Sequence, residues 1–311
     1  MIKLFQILIL SCSALCSAAQ QDSADVEAVR RMVNLSEVVV RSGLNVPQFL
    51  QRIKTDTTFY KAFRNLRILS FTSLNDIRML NKKGTVIASL QSKTHQTRSG
   101  GCRTMQVLDE KTTGDMKDGA GFSYFTAQLY AGLFFTQGTV CGETNIVAGA
   151  MRNVHNKRGL DKAKEQLKML FFNPGKKIPG IPFIGDKLDI FDERLAQYYN
   201  FNIDATNLNG QDCYLFSIRR RDDLTSSERG NIVFDNITTW FDAKTMEIAA
   251  RNYDLSYDAG VYDFDVHMEV VMTKFGDLLV PQVLRYNGDW DVAFKKRERG
   301  VFTATLFDFN R

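Results

Sequence analysis

From Tyr199 to the C-terminus the chain runs in short stretches of alternating apolar and polar residues, each bounded by two or three turn-forming residues. Tyr199, Phe201 and Ile203 alternate with polar neighbours, Asn209-Gly210 marks a turn, and Tyr214, Phe216 and Ile218 alternate again. The stretches ITTWFD, MEIAARNYDLSY, YDFDVHMEVVM, LLVPQVLRY, DWDVAF and VFTATLFDF follow. They are divided at Asp242-Ala243-Lys244, Asp258-Ala259-Gly260, Phe275-Gly276-Asp277, Asn287-Gly288 and Glu298-Arg299-Gly300. Connections this short join antiparallel neighbours only, because a parallel crossover needs roughly a dozen residues or more. The pattern therefore predicts an antiparallel meander, and one face of it needs a cover.

The rest of the chain supplies that cover and more strands. Val26, Val29 and Val33 recur at helical spacing, which predicts a helix from Asp25 to Ser42 stopped at Gly43. Asn45-Val46-Pro47 opens a second helix with a cap residue and an early proline. From about Leu66 to Val140 the alternation returns, broken by glycine, as in GTVIASLQSKT and FSYFTAQLYAGLFFTQG, and reads as strands. In GLDKAKEQLKMLFF, Leu160, Ala163, Leu167, Leu170 and Phe171 form one helical stripe, so the segment 159–192 is the expected cover. The fold class is thus α+β and strand-dominated: a curved antiparallel half-barrel covered by helices. Its expected organisation is a leader over 1–19, a helical segment over 20–65 and the half-barrel over 66–311.

The N-terminus bears on location. Lys3 precedes the apolar run Leu4 to Leu15, and Ser17-Ala18-Ala19 offers a small-residue cleavage site, which reads as a secretory signal peptide cut after Ala19. Lipoprotein processing at Cys12 or Cys16 fits less well, because Leu10 and Leu15 stand where small residues are preferred. The expected location is the periplasm or the exterior of a bacterial cell, with no membrane-spanning segment after cleavage. A formal net charge of +5 is mild. Asp222-Asp223 and Glu298 flank the basic runs Arg219-Arg220-Arg221 and Lys295-Lys296-Arg297, and no aromatic residues interleave them, so nucleic acid is not an expected partner.

Cys102, Cys141 and Cys213 remain after cleavage, without a C-x-x-C pair or zinc-type spacing. Export permits a disulfide between Cys102 and Cys141, each beside glycine, while Cys213 in DCYLFSI reads as a buried thiol. Asp263, Asp265, His267 and Glu269 share one face of a strand, so a metal-dependent hydrolase is conceivable on chemistry alone. Same-side residues on one strand lie ~7 Å apart, however, too far for three of them to hold one ion without help from neighbouring strands. His95 near Cys102 matches no nucleophile signature. No cofactor and no catalytic residue is expected.

The stretch FFNPGKKIPGIPFIGDK, Phe171 to Lys187, holds three of the chain's five prolines and Gly175, Gly180 and Gly185. Half a P-loop is present in Gly180 to Gly185, but Asp186-Lys187-Leu188 replaces the required Lys-Ser/Thr, and the prolines remove donors a phosphate would use. The informative residues are apolar. Phe171, Phe172, Ile178, Ile181, Phe183 and Ile184 form either a lid over a ligand on the concave sheet or a permanent plug, and nothing in sequence separates the two.

The order helix, meander, interposed helix with proline loop, and longer meander resembles the half-barrel of the LolA/LolB-like lipoprotein-carrier superfamily. YYNFNIDATNLNGQDCYLFSIRRR, NITTWFDAKTMEIAARNYDLSY and GDLLVPQVLRY carry the likeness, which covers about the last 130 residues. The resemblance implies an exported, non-enzymatic protein that holds a lipid, an acyl chain or an apolar partner segment in a concave sheet. The expected partner is then a lipid or lipoprotein, or another envelope protein. The alternative is a non-catalytic structural or interaction module of the cell envelope.

Overall fold

The computed structural model describes residues 24–119, 121–147, 169–178, 184–258, 262–292 and 296–311. A helix over 24–32 (α1) leads into strand β1 (Val33–Leu35), followed by helices α2 (Glu37–Ser42), α3 (Val46–Thr55) and α4 (Thr58–Asn65). The expected single helix from Asp25 to Ser42 is thus two helices around a strand. Val33 is β-branched and Asn34 and Ser36 favour caps over helix interiors. Three residues here pair in parallel with Phe201 to Ile203, and Ser36 N–H donates to the Ile203 carbonyl at 3.0 Å. Pairing with a free sheet edge outweighs the weak helical preference.

Gly43, at φ 69°, ends α2 where a residue with a Cβ would be strained. The Asn45 side chain caps α3 by accepting from Gln48 N–H at 3.1 Å, and α3 buries Phe49, Leu50 and Ile53. Asn45→Ala is expected to lower stability by about 1 kcal/mol, read as a shift in denaturant midpoint at constant slope.

Strands β2 (Ser70–Leu80), β3 (Val86–Ser99) and β4 (Cys102–Thr113) form two hairpins. A two-residue ribbon, β5 (Lys117–Asp118) with β6 (Gly121–Phe122), leads to helix α5 (Phe125–Phe134) and the short strand β7 (Val140–Cys141). The helical α5 corrects the strand reading of FSYFTAQLYAGLFFTQG. Its ten residues include one β-branched side chain, Thr126, and it is apolar all round, so neither a period of 2 nor one of 3.6 stands out.

The meander follows as β8 (Tyr199–Leu208), β9 (Gln211–Arg220), β10 (Phe234–Asp242), β11 (Ile248–Asp258), β12 (Tyr262–Phe275), β13 (Leu278–Val292) and β14 (Glu298–Asn310). Asn209 and Gly210, at φ 52° and 90°, make the two-residue turn between β8 and β9. Two expected turns are corrected. Asn287-Gly288 lies inside β13, where a Cβ on Gly288 would sit 1.9 Å from the Tyr286 hydroxyl, so the glycine makes room for a ring. Glu298-Arg299-Gly300 opens β14 instead of preceding it. Pro281 is tolerated within β13 because the register with β12 shifts between Val271 and Met272 beside it.

Among the described residues twelve strands make one curved, unclosed sheet in the order β1-β8-β9-β10-β11-β12-β13-β14-β2-β3-β4-β7. The link is β14 against β2, where Phe302 faces Ile77 and Thr305 faces Leu74. The concave face buries alternate residues and takes α3 and α4: Phe49 meets Phe241 edge-on at 5.2 Å, and Asn65 Nδ2 donates to the Leu279 carbonyl at 2.8 Å. On β12, Phe264, Val266, Met268 and Val270 are buried while Asp263, Asp265, His267 and Glu269 face the other side.

Candidate functional site

The concave face changes character along the sheet. Under α3 it is aromatic, whereas β2 and β3 bring Ser73, Asn75, Ser92, Thr94 and Gln96 to the same side, all buried, the first four joined by hydrogen bonds. Gln96 Nε2 donates to the carbonyls of Leu66 and Leu69 at 2.7 and 2.8 Å, and its Oε1 accepts from Arg103 Nη1 at 3.1 Å. Helix α5 lies across this face. Its first amides, of Phe125 and Thr126, donate to the Glu298 carboxylate at 2.9 and 2.7 Å, which satisfies orphan donors and sets a negative charge at the positive end of the helix. Midway along it, Tyr130 packs on Phe302 at 4.7 Å and donates to Asn75 Oδ1 at 3.2 Å. Burial pushes the Tyr130 phenol well up, so it stays a neutral donor.

Two cavities adjoin α5. One, of about 90 Å³, has an aromatic wall that includes Phe63, Phe71 and Phe172, and a polar end with Arg64, Arg67 and Arg103. Glu143 is the one carboxylate among its described lining residues, 2.5 Å from Arg103 Nε and 3.5 Å from Arg67 Nη1. Arg64 Nη2 donates to the Thr144 carbonyl at 3.1 Å, while its buried Nε meets no acceptor. The second cavity, about 40 Å³, is almost wholly apolar, between α5, Phe171, Met268, Tyr286, Trp290 and Phe302. Leu133 and Phe134 of α5 line both and divide them.

Four of the six expected lid residues are described, and all four are buried: Phe171, Phe172, Ile178 and Ile184. Ile181 and Phe183 lie outside the described residues, as does most of the expected helix before Phe171. Phe172 stacks on Phe63 with centroids 4.0 Å apart, and Phe171 meets Tyr286 edge-on at 5.8 Å. Tyr253, fully buried in the sheet, donates its hydroxyl to the Phe171 carbonyl. Ile178 N–H reaches the Gly185 carbonyl at 3.4 Å.

Cys102 and Cys141 are joined by a disulfide that ties β7 to β4, so no thiol faces His95, whose Nδ1 pairs with Thr72 Oγ1 at 3.0 Å. Cys213 is a free, buried thiol. His267 lies on the outer face between Asp254, at 2.5 Å, and Glu269, at 3.3 Å, with Arg285 beyond. Burial alone would lower the imidazole, but its carboxylate partners outweigh that and hold it above the usual value. Among the described residues no three His, Cys, Asp or Glu side chains converge to hold a metal.

Sequence reasoning missed α5 and the three arginines. The sequence signalled burial there but not a helix: residues 119–142 contain no charged side chain, unlike any exposed strand pair of comparable length in the meander. The arginines come from α4, the turn after it and β4, and only folding assembles them.

Neither a protein-family model nor a curated protein matches the sequence. Among solved structures the chain is similar to a DUF1329 family protein from Desulfovibrio piger, with 12% identity over 82% of this chain and 93% of that one and a TM-score of 0.26. It is similar also to a candidate outer membrane lipoprotein-sorting protein domain from Vibrio parahaemolyticus, with 10% identity over 79% and 88% of the two chains and a TM-score of 0.26. At these scores the likeness says nothing of a ligand.

Proposed function

We propose that the protein is an exported, non-enzymatic binding protein that holds an anionic amphiphile, its acyl chain beneath α5 and its head group at Arg64, Arg67 and Arg103. The observation that carries this reading is the meeting of an apolar cavity and a cationic one at Leu133 and Phe134. As they stand the cavities are small beside the roughly 300–1,000 Å³ of pockets that enclose small molecules. Entry therefore requires α5 to swing or the two side chains to turn, which joins the cavities. A charge-free helix with half-buried Leu129, Leu133 and Phe134 suits such a step, because it exposes nothing charged to the apolar floor when it moves.

The test is binding of a fluorescent fatty acid and of its methyl ester, with mass spectrometry of lipid extracted from the purified protein. The acid is expected to bind about tenfold or more tightly than the ester, and Arg64→Gln to erase most of that difference, since a charge-assisted hydrogen bond contributes about 1.5–3 kcal/mol. Absence of both co-purifying lipid and saturable binding refutes the reading. One observation favours the alternative of an interaction module: among the described residues β4 is paired on its outer edge only at Cys102 and Arg103, which leaves an edge that a partner strand can extend.

A further inference from the structure

A third cavity lies under α3, and it shares no lining residue with the two beside α5. Its volume is about 20 Å³, room for one water-sized or halide-sized sphere and too little for phosphate. Arg251, on β11, is only 8% exposed and lines it. A guanidinium has five N–H donors. That of Arg251 gives one, Nε to Thr239 Oγ1 at 2.9 Å, and lies 4.5 Å from the centre of the Phe59 ring. Lys176 enters from the proline loop and donates to the carbonyls of Ile53 and Lys54. Among the described residues neither cation has a carboxylate within 4.0 Å. Asp56, which also lines the cavity, instead accepts from Thr58 N–H at 3.1 Å and Thr58 Oγ1 at 3.0 Å.

Two cations lining one small cavity, without a contacting carboxylate among the described residues, are an arrangement that folded proteins avoid. A buried charge costs several kcal/mol unless paired, and a second like charge adds to that cost. The geometry points to a small monovalent anion of the halide class bound between the Arg251 guanidinium and the Lys176 ammonium. It takes the guanidinium donors that the protein leaves unused, and it ties the loop 174–178 to α3 and β11. A single water fits the same space but neutralises neither charge.

Thermal and denaturant unfolding of the mature chain in sodium chloride, sodium bromide and sodium gluconate at equal ionic strength provides the test. Above the dissociation constant, each tenfold rise in chloride is expected to lower the unfolding equilibrium constant about tenfold, with no such slope in gluconate. Arg251→Met should abolish the slope, and Lys176→Met should weaken it if the first variant does not fold. Bromide-soaked crystals should show an anomalous peak within hydrogen-bonding reach of both residues.

The ammonium gives a second readout. Burial pushes Lys176 down to about 8, with Arg251 and Lys54 lowering it further and Asp56 and Asp189 opposing. Above that pH the unfolded chain binds the extra proton, so stability rises as pH increases towards the ordinary lysine value. A bound anion retains the proton, and chloride should move the onset of that rise to higher pH. Equal stability in chloride and gluconate, or a water without anomalous signal at the bromide position, overturns the inference.

Discussion

Phe172→Ala is expected to lower the free energy of unfolding by about 3–5 kcal/mol, the range for deleting a buried ring whose surroundings close only in part. The ring is 6% exposed, stacks on Phe63 of α4 and meets Phe134 of α5 edge-on at 5.9 Å. It therefore joins the segment before the proline loop to two helices, and no single neighbour can fill the space it leaves. The denaturant midpoint at constant slope measures the loss. A loss of this size makes the Phe171 to Ile178 segment a fixed part of the core, as the proposed entry beside α5 requires. A change below about 1 kcal/mol would mean that the ring leaves its site easily, and the segment itself would be the lid.

Removal of the disulfide is the second large effect. Cys102 and Cys141 are 39 residues apart, and closing a loop of that length stabilises the fold by about 4 kcal/mol in the chain-entropy account. The double variant Cys102→Ser/Cys141→Ser should lose most of that, and wild type in reductant should match it. Loss should begin locally, because β7 is two residues long and among the described residues pairs only with Cys102 and Arg103. Since the closed loop also contains α5, fatty-acid association should become faster once the bridge is gone. Identical midpoints with and without the bridge would refute the stabilisation. Cys213 does not confuse the comparison: burial, with Asp242 and Asp212 nearby, pushes its thiol up, and it is 1% exposed.

The candidate site was legible only in pieces. Phe171, Phe172, Ile178 and Ile184 stood out as a cluster of large apolar groups and are in the core. What they pack against, Phe63 from one helix and Tyr286 and Trp290 from a strand more than a hundred residues away, has no local trace. Arg251 shows the same limit from the other side. In MEIAARNYDLSY the period of 2 sets it on the face of Tyr253 and Leu255, but its meeting with Thr239 and with the ring of Phe59 has no local trace.

By itself the sequence determined the strand-dominated class, the antiparallel meander and the faces of β12. Alternation with period 2 and turns as short as Asn209-Gly210 are local properties, and each is decided by a few neighbouring residues. Tertiary structure alone decided that Val33–Leu35 is a strand, that α5 is a helix and that β14 pairs with β2 to make one sheet. In each case the local preference was weak or symmetric, with an edge strand waiting for Ser36, a Glu298 carboxylate waiting for the α5 amides and an open strand waiting for Phe302. The backbone groups to be satisfied lay far away in the chain, and local sequence carries no record of them.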